Sequence, residues 1–278
     1  MIKRTLYFGN PCYLSLSNGQ LLLRLPEVEK NDTLSESFKK EAFKSIPIED
    51  IGIVMLDHSR ITLTQGLIEA LMGNNVALVS CNSTHHPFGL MLPLHSNKVQ
   101  NERYRAQLDA TEPLKKQLWQ QTIIQKIKNQ SGSLETFNIP NSYLVPLYKN
   151  VKSGDSDNCE ATAAAFYWKS LTPALSKGEG AFWRDRFGPP PNNYLNYGYA
   201  LLRATMARSI VGAGLLPTLG IHHANKYNAY CLADDLMEPY RPYVDIEVKK
   251  MVEQFGTNED IPKEIKEELL KIPAMDVM

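Results

Sequence analysis

The sequence lacks several features that would assign it to a familiar class of protein. Its four cysteines are widely separated and none forms a CxxC pair, so they indicate neither a zinc knuckle nor a disulfide framework. The most apolar stretch, residues 210–221, is too short to span a membrane and contains Pro217. The residues before Gly9 include no continuous apolar run typical of a signal peptide. These absences predict a soluble cytoplasmic protein with reduced thiols.

The chain also lacks a net charge, because 30 Lys and Arg residues balance 30 Asp and Glu residues. A zero total does not point to nucleic acid as a partner, but it conceals local differences. Segments 98–152 and 169–208 carry surpluses of five and four basic residues, whereas segment 232–247 has five acidic residues and one basic residue. Basic segments around an acidic one suit a polyanion held at a metal centre. Charges scattered by chance over solvated helices give the same counts, and the counts alone favour that explanation.

The first third of the chain has alternating apolar patterns typical of β-strands. Asn18-Gly19 separates two such runs and predicts a hairpin with a type I′ turn, because both central residues of that turn need positive φ. One helix is predicted at 62–72, with Gly73 as its stop. The predicted strands are 4–8, 13–17, 20–25, 46–48, 51–56 and 76–80.

Beyond residue 100 the spacing of apolar residues becomes helical. A long loop with a mobile middle is predicted at 176–191, where glycines and three consecutive prolines occur. The predicted fold class is α+β, with a small β-rich N-terminal domain at 1–90, a linker at 91–100 and a larger all-α C-terminal domain at 101–278. The predicted helices are 102–110, 114–129, 142–150, 157–171, 193–211, 227–238, 244–254 and 262–272.

Glu160, in the segment CEATAAA (159–165), begins one of these helices. The alanines that follow it would let another helix or a nucleic-acid backbone approach closely. Glutamate is also a metal ligand for hard divalent cations. An acid in the first helical turn is favourable to the helix dipole, however, and taken alone that explanation is the more common one.

A second segment, GIHHANKYNAYCLADDLMEPYRP (220–242), combines histidines with acids on a predicted helix. Asp235 and Glu238 are three residues apart, so their side chains project from neighbouring positions. Acids clustered at a helix C-terminus repel one another and oppose the macrodipole. Either a bound cation or the basic residues Lys226 and Arg241 can compensate them. The residues alone do not separate a metal site from a structural ion-pair cluster.

Three motifs, CEATAAAFYW, PNNYLNYGYALLR and GIHH…LADDLMEPYRP, together resemble the CRISPR-associated integrase family, the catalytic subunit of the spacer-acquisition complex. The resemblance covers most of the chain and is strongest to members from systems with a single-protein RNA-guided effector nuclease (type II). It implies that the C-terminal domain is catalytic. It also implies that Glu160, His223 and Glu238 are catalytic residues and metal ligands, with Asp235 as a possible additional acid.

The resemblance further implies a metal-dependent DNA integrase and endonuclease that uses Mg²⁺ or Mn²⁺. In this family the 3′-hydroxyl of a captured DNA fragment attacks a phosphodiester at the edge of a CRISPR repeat. The implied partners are DNA, a second copy of the chain held largely through the β domain, a small ferredoxin-like subunit and the effector nuclease. The basic residues nearest the motifs are the candidates for DNA binding: Arg184, Arg186, Arg203, Lys226 and Arg241.

Two alternatives remain at this point. One is a non-catalytic DNA-binding scaffold of the same fold, in which the acids serve only in ion pairs. The other is a plain metal-dependent nuclease, which would cut nucleic acid without joining it.

Overall fold

The computed structural model describes residues 3–29, 44–175 and 182–274, which fall into two compact units. The first unit extends to Lys98 and includes residues 211–213, and the second contains the other described residues. The predicted α+β class is confirmed, because the N-terminal part contains two sheets and the rest is mostly helical. Residues 176–181 of the predicted loop lie outside the described residues.

The first unit contains two four-stranded sheets, with strand orders β1-β5-β7-β8 and β4-β3-β2-β6. In the first sheet β1, β5 and β7 run parallel and β8 is antiparallel to β7. Leucines and isoleucines from both sheets and from α2 form the core of this unit. Its elements are β1 (Arg4–Phe8), β2 (Cys12–Ser17), β3 (Gln20–Arg24), α1 (Pro26–Glu29), β4 (Lys44–Pro47), β5 (Ile51–Leu56), β6 (Ile61–Leu63), α2 (Gln65–Gly73), β7 (Ala77–Cys81) and β8 (Pro87–Met91).

The hairpin between β2 and β3 has the predicted turn. Asn18 and Gly19 have φ values of 48° and 72°, and Ser17 pairs with Gln20 across the turn. The prediction of a helix from residue 62 is wrong at its start. Residues Ile61–Leu63 form β6, which pairs in parallel with β2, and the helix begins after Thr64. Strand β8 is absent from the predicted strands, and its first residue is Pro87.

The second unit is built around one long helix. Helix α4 buries Trp119, Ile123 and Ile127 along one side, and it packs against α5, α6 and α9. Among the described residues, no helix is both long and apolar enough to cross a membrane. The helices are α3 (Gln100–Leu108), α4 (Glu112–Thr136), α5 (Leu144–Lys149), α6 (Cys159–Leu175), α7 (Asn192–Gly212), α8 (Cys231–Met237), α9 (Arg241–Phe255) and α10 (Lys263–Leu269).

The helix predicted at 227–238 is shorter than expected. Helix α8 begins only at Cys231 and ends at Met237, and a 3₁₀ turn at Glu238–Tyr240 connects it to α9. Pro239 lies inside that turn, where its missing N–H breaks no α-helical hydrogen bond. Glu238 therefore lies just beyond the α-helix that carries Asp235.

Candidate active site

Glu160 lies in the first turn of α6, where a neighbouring carboxylate fixes the start of the helix. The side-chain oxygens of Asp155 accept hydrogen bonds from the backbone N–H groups of Cys159 (2.9 Å) and Glu160 (3.0 Å). The side chain of Glu160 then reaches Lys126 on α4, with 2.6 Å between Oε1 and Nζ. The cap thus sets the position from which Glu160 reaches α4.

Glu238 is buried, with its side chain 8% exposed, and it binds two cationic side chains. Its Oε2 lies 2.6 Å from Nζ of Lys126, and its Oε1 lies 2.9 Å from Nε of Arg241. This buried Oε2 has no hydrogen-bond partner among the described residues, and its contact with Lys126 is an ion pair. The two glutamates predicted as metal ligands, Glu160 and Glu238, therefore meet at one ammonium group.

Asp235 is fully buried and anchors the segment that carries the two histidines. Its Oδ2 accepts hydrogen bonds from the backbone N–H groups of Ile221 (2.6 Å) and His222 (2.9 Å), and its Oδ1 accepts that of His223 (3.3 Å). Gly220 permits this close arrangement, because a Cβ there would lie 2.2 Å from the carbonyl oxygen of His223. Both carboxylate oxygens of Asp235 are therefore occupied by hydrogen bonds from the backbone of this segment.

The ring of His223 is held by the same carboxylate. Its Nδ1 lies 2.5 Å from Oδ1 of Asp235, which places the proton on Nδ1 and leaves Nε2 as the nitrogen that can bind a metal. The hydrogen bond to Asp235 raises the pKa of His223, partial burial opposes that shift, and the charges of the two glutamates add to it.

His222 has a different environment from His223. Its ring stacks on Trp119 of α4, with 4.2 Å between the ring centroids and 4° between the planes. His223 meets the same indole edge-on at 5.7 Å. The ring of His222 thus stacks on Trp119, whereas the ring of His223 faces Asp235. This arrangement is consistent with the choice of His223 over His222 as the candidate ligand.

The two glutamates and His223 supply oxygen and imidazole ligands, a set that suits Mg²⁺ or Mn²⁺. The buried Oε2 of Glu238, which accepts no hydrogen bond, also fits a metal ligand. Across residues 3–29, 44–175 and 182–274, however, no group of three or more His, Cys, Asp or Glu side chains lies ready-made for a metal. The cation at the two glutamates in this structure is the ammonium of Lys126.

A cavity of about 200 Å³ opens beside Glu238 and Lys126. Arg184 and Arg241 line it, and both guanidinium groups lie over the ring of Tyr199, at 5.3 Å and 4.8 Å from its centroid. Positive charge therefore faces the cavity next to the acidic side chains.

Asp245 lies at the base of this cavity and is bound by two tyrosines. Tyr167 donates a hydrogen bond to its Oδ2 at 2.9 Å, and Tyr199 donates one to its Oδ1. Burial raises the pKa of Asp245 to about 6, while the tyrosine hydrogen bonds and the nearby arginines oppose that shift. Burial also raises the pKa of both tyrosines, so the cluster contains no second ionised group near neutral pH.

The five candidate DNA-binding residues fall into three environments. Arg184 and Arg241 line the cavity, as described above. Arg203 is paired with Asp234 through two contacts of 2.6 Å and 3.1 Å. Arg186 and Lys226 are exposed, and each lies over the ring of an exposed aromatic neighbour, Phe187 and Tyr227 respectively. The structure therefore gathers two of the five at the glutamates.

Lys126 and Trp119 contact the candidate ligands and the histidines, but neither the motifs nor the predicted site residues include them. Both lie on α4, seven residues apart, and therefore on the same side of the helix as the buried Ile123. A lysine on the apolar side of a helix is the signal that indicates a buried ion pair. The sequence does not indicate which acids it would bind.

Comparisons with known proteins decide the family. The family model described as CRISPR associated protein Cas1 matches residues 23–267. The CRISPR-associated endonuclease Cas1 of Neisseria meningitidis serogroup C (strain 8013) is 35% identical over 277 residues, which cover 98% of this chain and 83% of that protein. The chain belongs to the CRISPR-associated Cas1 family. The integrase family that the motifs resemble is thereby confirmed.

Solved structures agree with the Cas1 fold. A casposase bound to integration product has a TM-score of 0.75 at 21% identity, covering 99% of this chain and 82% of that one. A chain of a Cas6-RT-Cas1–Cas2 complex has a TM-score of 0.66 at 20% identity, covering 93% of this chain and 29% of that one. At these identities the likeness establishes the fold of the chain and nothing finer.

Proposed function

We propose that this Cas1-family chain is a metal-dependent DNA integrase and endonuclease of CRISPR spacer acquisition. The 3′-hydroxyl of a captured DNA fragment attacks a phosphodiester at the edge of a CRISPR repeat. A new P–O bond joins the fragment to the repeat as the original P–O3′ bond breaks, and the leaving strand ends in a free 3′-hydroxyl. The observation that carries this proposal is that Glu160 and Glu238 both lie 2.6 Å from the ammonium of Lys126, while His223 is near enough for the charges of both glutamates to raise its pKa. The names of the curated relative, an endonuclease, and of the casposase bound to integration product are consistent with it.

In this proposal Glu160, Glu238 and Nε2 of His223 hold the metal. A bound Mg²⁺ or Mn²⁺ ion supplies a Lewis acid that polarises the scissile phosphate and offsets the charge of the transition state. Asp235 is a positioning residue, because its bond to Nδ1 fixes the tautomer and the orientation of the imidazole. Oxygen ligands favour Mg²⁺, whereas the histidine makes Mn²⁺ a good alternative.

Arg184 and Arg241, which line the cavity beside Glu238, are the proposed ligands for phosphate oxygens of the DNA at the glutamates. Their guanidinium planes match phosphate geometry, and their stacking on Tyr199 limits the rotamers that they lose on binding. Arg186 and Lys226 are exposed and suit phosphates farther along the strand. Arg203 is engaged with Asp234 and contributes less, unless DNA displaces that pair.

The partners proposed for this chain are DNA, a second copy of the chain, a small ferredoxin-like subunit and the effector nuclease, and its compartment is the cytoplasm. The fold it shares with a chain of a Cas1–Cas2 complex is consistent with the small subunit. Phe88 on β8 and Leu94, in the β-rich unit, are 85% and 89% exposed. Large apolar side chains exposed to this degree suit the proposed dimer contact.

One observation favours a second candidate, the non-catalytic DNA-binding scaffold. Lys126 and Arg241 already balance the charge of Glu160 and Glu238, so the acids do not require a metal for the fold. In that case the chain would bind DNA through its arginines without altering it.

Integration of a labelled short duplex into a supercoiled plasmid that carries CRISPR repeats separates these candidates. The assay is run with the small partner subunit and with Mg²⁺, Mn²⁺ or EDTA, for the wild type and for Glu160→Ala and His223→Ala. We expect a metal-dependent joined product that both substitutions abolish. Cutting without joining would indicate a plain nuclease. DNA binding with neither reaction would favour the scaffold.

A further inference from the structure

Lys126 has an unusual position for a lysine. Its side chain is only 12% exposed, and its ammonium lies 2.6 Å from a carboxylate oxygen of Glu160 and 2.6 Å from one of Glu238. These glutamates are 78 residues apart in sequence and are brought together from α6 and from the turn after α8. The ammonium of Lys126 on α4 thus connects helix α6 with the turn after α8.

The two glutamates need a cation between them, because carboxylates held at one site repel each other. Glu238 has a second cation, Arg241, which is partly buried and lies over the ring of Tyr199. Among the described residues, the ion-pair partner of Glu160 is Lys126. A lysine can exchange one partner for another, because its ammonium lies at the end of a flexible four-carbon chain. A guanidinium binds carboxylates in a more fixed geometry.

We propose that Lys126 is an exchangeable counter-ion of the metal ligands, and this proposal rests on the metal-dependent function proposed above. Without metal, its ammonium bridges Glu160 and Glu238 and keeps them in place. A divalent cation displaces the ammonium from both carboxylates. The released side chain then binds a phosphate oxygen of the DNA at the same site.

Two features of the contacts support an exchange rather than a permanent bridge. The contact with Glu160 is a hydrogen bond, whereas Oε2 of Glu238 has no hydrogen-bond partner among the described residues and meets Lys126 as an ion pair. Charge therefore holds the bridge at Glu238, and a divalent ion carries twice the charge of the ammonium. Lys126 also lines the cavity with Arg184 and Arg241, so a rotamer change moves its ammonium toward other phosphate-binding groups.

Calorimetric titration with Mn²⁺ tests the first half of the proposal on the full chain without DNA. The variants are Lys126→Met, which keeps the aliphatic stem, and Lys126→Gln, with Glu160→Gln as the ligand control. Lys128→Met is the matched control, because Lys128 is an exposed lysine of the same helix that lies 5.8 Å from the ring of Tyr148. We expect Mn²⁺ to bind about tenfold more tightly to both Lys126 variants than to the wild type or to Lys128→Met, because a competing unit charge is removed at close range.

Melting temperatures provide a second readout that does not depend on activity. In EDTA both Lys126 variants should melt below the wild type, because Glu160 loses its cation and Glu238 keeps only Arg241. Saturating Mn²⁺ should raise their melting temperatures more than it raises that of the wild type. Lys128→Met should show neither difference.

DNA binding tests the second half. Anisotropy of a labelled duplex with dideoxy 3′ ends, which cannot be joined, is measured in EDTA and in Mn²⁺. We expect Lys126→Met to weaken DNA binding several-fold in Mn²⁺ and much less in EDTA, since only the metal frees the ammonium. An equal loss in both conditions would overturn the transfer to phosphate.

The titration also separates failure of this inference from failure of the proposed function. If Mn²⁺ binds to the wild type and to Lys126→Met equally, or more weakly to the variant, and Glu160→Gln abolishes binding, the metal site stands and the exchange is wrong. If no variant binds Mn²⁺ in a way that depends on Glu160, the proposed metal-dependent function and the exchange are both wrong.

Discussion

Asp235 and Glu238 are three residues apart and both are buried, yet their carboxylates have different kinds of partner. Asp235 accepts hydrogen bonds from three consecutive backbone N–H groups and from the ring of His223. Glu238 is balanced by two side-chain cations, Lys126 and Arg241. Backbone donors cannot leave unless the segment unfolds, whereas side-chain cations can be exchanged. This difference is the reason that Glu238, and not Asp235, is proposed as the metal ligand.

The largest expected effect is the loss of strand joining in Glu160→Gln. Glu160 resembles Glu238 and not Asp235, because its carboxylate also pairs with a side-chain cation, Lys126. We expect joining to fall by at least about 1,000-fold, since a metal ligand contributes more than the 10- to 100-fold of an outer-shell residue. The free energy of unfolding should change by less than about 1 kcal/mol, because the pair with Lys126 is partly exposed. Plasmid integration assays and urea titrations measure the two quantities.

Asp235→Asn should give the opposite balance. An amide cannot accept from all of the donors that the carboxylate binds, and hydrogen bonds to a charged acceptor are the stronger ones. We expect the free energy of unfolding to fall by about 3 kcal/mol. The amides of Ile221 and His222 should exchange with solvent much faster, which native-state hydrogen exchange reports. A variant that keeps its stability and these protected amides, and loses only joining, would break the comparison and make Asp235 a ligand.

The sequence predicts those parts of the fold that depend on local chemistry. Asn18-Gly19 specifies its turn through φ alone, so the hairpin follows from two residues. Residues 62 and 63 fall inside the predicted helix, because their pairing with β2 depends on residues about 50 positions away in sequence. Pro87, which disfavours a strand locally, is tolerated at the start of β8. Non-local pairing overrides local preference at both places.

The residues of the candidate site also divide into those that the sequence reveals and those that depend on non-local packing. Glu160, His223 and Glu238 are visible in the motifs, and the structure brings both glutamates to one point. Lys126 and Trp119 are invisible there, because their roles depend on how α4 packs against segments 34 to 112 residues away. The choice between Asp235 and Glu238 also requires the structure, since it depends on backbone donors that no side-chain pattern reveals.

Asp245 extends the comparison to a buried carboxylate whose hydrogen-bond partners, in the part of the chain that the structure describes, are two tyrosines. Burial raises its pKa to about 6, so the folded chain binds the proton more tightly than the unfolded chain does. Its contribution to stability is therefore fully present below about pH 4 and is lost as the pH rises through about 6. A shift of about two units corresponds to about 3 kcal/mol.

Asp245→Asn removes this dependence, because an amide does not titrate. The difference in unfolding free energy, variant minus wild type, should rise by about 2–3 kcal/mol between pH 4 and pH 7 in urea titrations without metal. Asp157→Asn is the control of opposite sign. Its exposed carboxylate has a pKa lowered by the hydrogen bond from Lys152, so that difference should fall slightly with pH. A flat difference for Asp245→Asn would mean that its carboxyl ionises freely in the folded chain.

The smallest expected effect is that of Gly220→Ala, which tests how tightly the Asp235 anchor is built. A methyl group there would lie 2.2 Å from the carbonyl oxygen of His223 and 2.9 Å from Oδ2 of Asp235. The segment must shift, which should cost about 1–2 kcal/mol of unfolding free energy and weaken Mn²⁺ binding, since the imidazole loses its orientation. Gly132→Ala on α4 is the control, because a Cβ there meets nothing within 4 Å. That change should instead stabilise the helix by about 0.5–1 kcal/mol. If Gly220→Ala lowers stability but leaves Mn²⁺ affinity unchanged, the hydrogen bonds of Asp235 support the fold without orienting His223. Asp235 would then contribute to stability and not to metal binding.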